Sequence, residues 1–233
     1  SWVSFRTALR VIGRGEVQAV SLKVTAESIL HGYRQGRFPW PRPELGRLIP
    51  WFSPDPRAVM YPTKVRMSRD VRRIARRQNW TTTANAAFDQ VVAGCASRKR
   101  TWIDDRILPA YAELHRMGHT FSVEVWDEED RLVGGLYGIQ VGGVFTGESM
   151  FHAVDHASKV AYAELARRMY ACGATLADGQ YPTLHLMSLG AEEISRRDFR
   201  VLLDSVKDDP VRLPEDRRPV SALLEFRESV RAE

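Results

Sequence analysis

Cysteine is scarce in this chain of 233 residues: Cys95 and Cys172 are the only two, and neither belongs to a CxxC pair or a zinc-like spacing. A disulfide framework is therefore excluded, and two buried thiols in a reducing compartment are expected. Long apolar runs are missing as well. Nothing approaches the roughly 18 consecutive apolar residues of a membrane span. The opening SWVSFRTALRVIGRGE has no apolar core of signal-peptide length. A cytoplasmic protein with no membrane association is the expectation. Nucleotide and hydrolase signatures are also absent: there is no Walker loop, no GxGxxG and no GxSxG. The six histidines include no HExxH; His152 and His156 lie four apart with no evident third ligand, so no metal and no cofactor are expected.

What is present is an ordinary globular composition with a basic balance. Hydrophobic residues make up 44% and charged residues 27%, with a formal net charge of +5. Such a balance admits an anionic partner without requiring one. The prolines crowd between Pro39 and Pro62. Each lacks an N–H and fixes φ, so this stretch predicts a long loop or a short-stranded unit, here carrying Trp40, Trp51 and Phe52. Before it, Thr25 is placed to cap a helix that Gly36 ends. From Ser68 onward the pattern is regular. Helices are expected from Ser68 to about Gln78, after Asn85, after Asp105, from Asp155 to about Cys172 as a long amphipathic one, and after Ser195. TFSVEVW, RLVGGLYGIQ and VFTGESMF alternate like an antiparallel meander, and ATLAD reads as a further short strand. Strands with an antiparallel centre flanked by helices make the fold class α+β.

Three constellations can carry chemistry. Arg69, Arg72, Arg73 and Arg76 recur at i, i+3, i+4 and i+7, with Arg77 beside them, and so share one helix face. Guanidinium forks suit phosphate, although a solvated helix face gives the same pattern. In GESMF, Glu148 sits among Phe145, Met150 and Phe151, either as a solvent-facing carboxylate or as the acidic anchor of an apolar pocket. In LADGQ, Asp178 and Gln180 point the same way if the strand stays extended, and Gly179 admits a close backbone approach. A turn aspartate beside a surface glutamine is the alternative.

Taken together these runs resemble the leucyl/phenylalanyl-tRNA–protein transferases of bacteria. The matching stretches are GYRQGRFPW (32–40), WFSPDPRAV (51–59), TWI (101–103), GHTFSVEVW (118–126), LVGGLYGIQVGGVFTGESMF (132–151), ASK (157–159), DGQ (178–180) and HLMSLGAEEISRRDF (185–199). The resemblance implies a small N-terminal domain, at 1–62, joined to a GNAT-like acyltransferase domain at 63–233. It also implies an activity: a leucyl, phenylalanyl or methionyl group moves from its tRNA to the α-amine of an N-terminal Arg or Lys of an acceptor protein, in the N-end rule degradation pathway. Asp178 and Gln180 would be the catalytic pair and Glu148 the anchor of the cationic acceptor. Phe145, Met150 and Leu136 would wall the aminoacyl pocket, and Trp51, Phe52 and Trp102 would stack on the terminal adenosine or line that pocket. The arginine face would hold tRNA phosphates. A monomer without metal or cofactor is expected.

The chain departs from the family pattern in several places. AVSLKVTAE (19–27) stands where a GGDL run is usual, Ala177 where a bulky aliphatic is, Gly179 where cysteine is frequent, and Tyr162 where a smaller aliphatic is. These changes admit a second reading, in which the acceptor is a small-molecule amine of specialised metabolism.

Overall fold

The computed structural model describes residues 15–97 and 106–231. The TWI run and Trp102 lie outside the described residues.

Two sheets organise the chain. The smaller is antiparallel, in the order β1 (Val17–Ser21), β3 (Ile49–Phe52), β2 (Phe38–Pro39). Between β1 and β2 runs α1 (Ala26–Tyr33). Thr25 caps it as the sequence predicts, and Ser28 returns a hydrogen bond to the Thr25 backbone, which completes a capping box. The proline-rich segment thus forms short strands and turns: Pro39 and Pro50 sit within the sheet, and Asp55–Pro56 is a cis turn.

The larger sheet has eight strands in the order β10, β4, β9, β8, β7, β6, β5, β11. Their ranges are β4 Arg57–Met60, β5 Thr81–Ala84, β6 Thr120–Trp126, β7 Leu132–Val141, β8 Val144–His152, β9 Leu176–Gln180, β10 Glu192–Ile194 and β11 Arg218–Pro219. The expected meander is β6–β7–β8, turned by Asp130 and Gly142 in left-handed conformations. Every pairing is antiparallel except β8 with β9. β4 belongs to this larger sheet, so the two sheets divide between Phe52 and Arg57.

Among the described residues, seven further helices cover the sheet: α2 (Arg69–Arg77), α3 (Phe88–Ala96), α4 (Leu108–Arg116), α5 (Ala157–Ala171), α6 (Leu184–Ser188), α7 (Arg196–Val206) and α8 (Ala222–Ser229). Ser68 caps α2 and Ser195 caps α7, as predicted. Asn85 does not cap α3. It adopts a φ of 56° and accepts the Ser122 N–H instead, so the helix starts later, at Phe88. One core joins α2, α5 and α8 to Phe121, Val123, Leu136 and Phe145. A second joins α1, α4 and α7 to Val59, Ile139, Val144 and Leu176. The long helix α5 is buried nearly all round rather than amphipathic. Its Glu164 and Arg168 are both fully buried and pair at 2.8 Å, which satisfies charges that would otherwise forbid the burial. The fold is mixed α+β, as expected.

Candidate active site

β8 and β9 run parallel, and their pairing ends at Thr146 and Asp178. Beyond that point the strands part, and a cavity of about 740 Å³ opens where they separate. Leu136, Met150, Leu165, Ala177 and Leu186 give it an apolar wall, while Glu148 and Gln180 stand at one side.

Two β-bulges aim these polar groups. Tyr137 pairs with Ser149 and Gly138 with Gly147, which leaves Glu148 as the extra residue on β8. Ala58 pairs with Gln180 and Val59 with Asp178, which leaves Gly179 as the extra residue on β9. Gln180 follows in a left-handed conformation, φ 63°. β9 is therefore not extended here, and Asp178 and Gln180 do not present their side chains together.

Asp178 is 1% exposed and fully engaged. Arg57 grips it as a fork, Nε to Oδ1 at 2.8 Å and Nη2 to Oδ2 at 2.5 Å. Thr146 donates to Oδ2 at 3.1 Å, and the backbone N–H of Gln180 donates to Oδ1 at 2.9 Å. Arg57 is itself held by the Gly36 carbonyl at 2.9 Å and lies over the Phe199 ring, its Cζ 4.2 Å from the centroid. Asp178 thus fixes the turn that presents Gln180, whereas the Gln180 amide turns elsewhere, donating to Glu148 Oε1 at 3.3 Å.

Glu148 is caged. Tyr33 donates to Oε1, Tyr111 to Oε2 at 3.5 Å, and the two phenols are 3.1 Å apart. Burial raises the Glu148 carboxyl from its ordinary 4.5 to about 8; the Tyr33 bond opposes that rise and the Asp178 charge adds to it. Both phenols are driven well above their ordinary range, by burial first and then by the Glu148 charge.

Comparison with known proteins decides which family this is. The profile described as leucyl/phenylalanyl-tRNA protein transferase matches residues 59–204, and the profile of that transferase's N-terminal domain matches residues 23–55. A leucyl/phenylalanyl-tRNA–protein transferase of Shewanella piezotolerans is 44% identical over 197 residues, which span 83% of this chain and 82% of that protein. The enzyme of the same name from Psychrobacter cryohalolentis is 40% identical over 204 residues, spanning 81% and 74%. The chain belongs to the leucyl/phenylalanyl-tRNA–protein transferase family. It is thereby an aminoacyltransferase. Among solved structures, L-PGS from Bacillus licheniformis aligns over 55% of this chain and 47% of that one, at 14% identity and a TM-score of 0.38, too loosely to bear on the fold.

Leu136, Met150, Glu148 and Gln180 reach the cavity of this transferase-family chain, and Asp178 borders it with its carboxylate turned to Arg57. Phe145 does not: it is fully buried beneath, edge-on to Phe121 with centroids 5.1 Å apart. Trp51 and Phe52 are also interior. All four residues of β3 are buried, Trp51 packs on Gly32 so closely that a Cβ there would meet its ring at 2.4 Å, and Phe52 stacks on Phe38. Of the residues that form the aromatic surface beside the site, the sequence pattern singles out Trp40 alone. Phe38, Trp40 and Tyr181 line a second cavity of about 190 Å³, which shares Glu148, Gly179, Gln180 and Leu186 with the first. Arg42 lies over Trp40, its Cζ 4.1 Å from the ring. Nor does the pattern single out Tyr33, Arg57 or Tyr111. The sequence signal for Arg57 is its place in WFSPDPRAV.

On α2, Arg69, Arg73, Arg76 and Arg77 are exposed and Arg72 is half-buried, while Val71, Ile74 and Ala75 face the core. Arg73 pairs with Asp70 at 2.9 Å, and Asp70 lies 3.7 Å from His156, which lines the large cavity. Burial lowers the pKa of Arg227 on α8, as do the charges of Arg231, Arg72 and Arg76, so the basic face extends onto that helix. Among the described residues no cluster of three or more His, Cys, Asp or Glu could hold a metal, and no helix is long and apolar enough to cross a membrane.

Proposed function

We propose that the chain transfers a leucyl, phenylalanyl or methionyl group from aminoacyl-tRNA to the α-amine of an N-terminal Arg or Lys of acceptor proteins, marking them for N-end rule degradation. Family membership supports the reaction class. The observation that carries the site is the meeting of two cavities at Glu148 and Gln180. The large apolar cavity takes the aminoacyl side chain. The smaller aromatic one flanks the acceptor and the terminal adenosine, with Trp40 and Tyr181 as the stacking surface.

The chemistry needs orientation and one proton transfer. The neutral amine attacks the ester carbonyl, a C–N bond forms, the C–O bond to the ribose breaks, and the amine's proton passes to the departing ribose oxygen. With its amide nitrogen turned to Glu148, Gln180 has its amide oxygen to accept an N–H of the incoming amine. Asp178, saturated by Arg57, Thr146 and the Gln180 backbone, positions Gln180 and is not the base. Glu148 faces the acceptor, whose positive charge on arrival favours the ionised carboxylate and so anchors the cation there. The arginines of α2 hold the tRNA phosphates.

We read the larger sheet as GNAT-like, since two parallel strands part to open the cleft. We also take the chain as two domains dividing between β3 and β4, and as a cytoplasmic monomer. The decisive test mixes the protein with labelled Leu-, Phe- or Met-tRNA and peptides beginning with Arg, Lys or Ala. Label on the Arg and Lys peptides alone is the expected result. Label on none of them, with tRNA binding intact, would move the acceptor to a small amine.

A further inference from the structure

Tyr162 projects from α5 with 6% of its surface exposed, and it forms part of the wall of the 740 Å³ cavity beside Leu136, Leu165 and Ala177. The other tyrosines around the site have partners: Tyr33 and Tyr111 bond each other and Glu148, and Tyr181 donates to Glu16 at 3.2 Å. The Tyr162 hydroxyl meets no hydrogen-bond partner among the described residues, and burial alone raises its pKa. It is therefore a protonated donor at any working pH. The Tyr162 ring is buried, but its hydroxyl is open to the cavity, where an incoming group can replace solvent as its partner. Ser158 and Lys159, one turn earlier on α5, line the same cavity, so a group that takes the hydroxyl's bond enters beside them.

Leucyl and phenylalanyl side chains carry no lone pair. A methionyl side chain is also apolar and flexible, but its thioether is a weak acceptor. We propose that Tyr162 sets the donor preference of this cavity: its hydroxyl hydrogen-bonds the thioether of a methionyl group and favours it over an aliphatic chain of the same length. The inference rests on the transfer reaction proposed above. It differs from a general sulfur–aromatic attraction, which would need only the ring.

Norleucine replaces the sulfur by a methylene and leaves the length unchanged, so the two aminoacyl groups on one initiator or elongator tRNA isolate the sulfur. The experiment compares kcat/KM for Met-tRNA and norleucyl-tRNA, with an Arg-capped peptide as acceptor, in the parent and in Tyr162→Phe. The parent should favour methionyl by about two- to tenfold, as one weak hydrogen bond allows, and Tyr162→Phe should bring the ratio of the two rates to about one. An unchanged urea midpoint and far-ultraviolet ellipticity show that the variant is folded. Equal rates in the parent overturn the proposal before any variant is made. A preference that survives in Tyr162→Phe assigns it to the ring and overturns the hydroxyl's role. A parent that transfers leucyl or phenylalanyl but not methionyl overturns this inference alone; one that transfers no aminoacyl group overturns the transferase reading and this inference with it.

Discussion

At Asp178 the chemistry is limited by what already holds the carboxylate. Arg57 and Asp178 are 2% and 1% exposed, and each serves as the other's countercharge. Removing one partner of such a pair strands a buried charge, at a loss of about 3–5 kcal/mol. Asp178→Asn or Arg57→Met should therefore lower the unfolding midpoint in urea sharply. Gln180→Ala leaves the Arg57–Asp178 pair intact and removes one hydrogen bond to Glu148, so it should cost only about 1 kcal/mol, while transfer falls on the order of 100-fold. If Asp178→Asn unfolded at the parent's urea concentration, the pair would not act as a clamp. Glu148 offers a pH signature of its own. Its folded pKa, about 8, lies above the ordinary 4.5, so its contribution to stability is fully present below 4.5 and is lost as pH rises through 8. Glu148→Gln should flatten the stability decline across that window, measured as urea midpoints from pH 5 to 9. Parallel declines in parent and variant would remove the burial argument. Activity is a poorer readout, because an acceptor α-amine titrates at about 7.7–8.0 in any case.

Among the elements, α2 is the most legible in the sequence, because its information is local. Five arginines in a nine-residue helix with Val71, Ile74 and Ala75 facing inward follow from the 3.6-residue period alone. The bulges on β8 and β9 are not legible, since a two-against-one register is a property of pairing, and no single strand carries it. For the same reason the sequence shows aromatic residues near the site but not which of them face it: β3 buries both Trp51 and Phe52, while Trp40, just past the end of β2, keeps an open face. Reversing charge at Arg72 and Arg76, which lie one turn apart on α2, should weaken tRNA binding. It should also reduce the slope of log K against log salt by about 0.7–0.9 for each phosphate no longer neutralised. Filter binding at salt concentrations from about 50 mM to 200 mM measures it. An unchanged slope would mean that the phosphates lie elsewhere.

Across the whole molecule, the site depends on residues far apart in the chain. Tyr33 reaches Glu148 across 115 positions, and Arg57 reaches Asp178 across 121. Such pairings leave no local trace, which is why GESMF and DGQ point to the strand ends at the cavity, while GYRQGRFPW and WFSPDPRAV contain Tyr33 and Arg57 without showing what they hold. Each is supplied from another part of the chain: Tyr33 from the end of α1, Arg57 from the first strand of the larger sheet, and Tyr111 from α4. The second core is also continuous across both sheets, since Ile29, Phe38, Trp51 and Phe52 pack in one cluster with Val59, Val144, Leu176 and Phe199. The two sheets therefore share apolar surface as well as a site, so unfolding one exposes the core of the other. Two-state unfolding of the whole chain is the expected outcome, although sequence and topology divide it into two units. Trp40 and Trp51 report on the smaller sheet and Trp80 and Trp126 on the larger. In variants retaining one pair, with phenylalanine at the other four tryptophan positions, the fluorescence transitions in urea should coincide with each other and with the loss of far-ultraviolet ellipticity. An earlier transition confined to the Trp40 and Trp51 pair would mean that the smaller sheet opens on its own, and that Tyr33 leaves Glu148 without the large cavity coming apart.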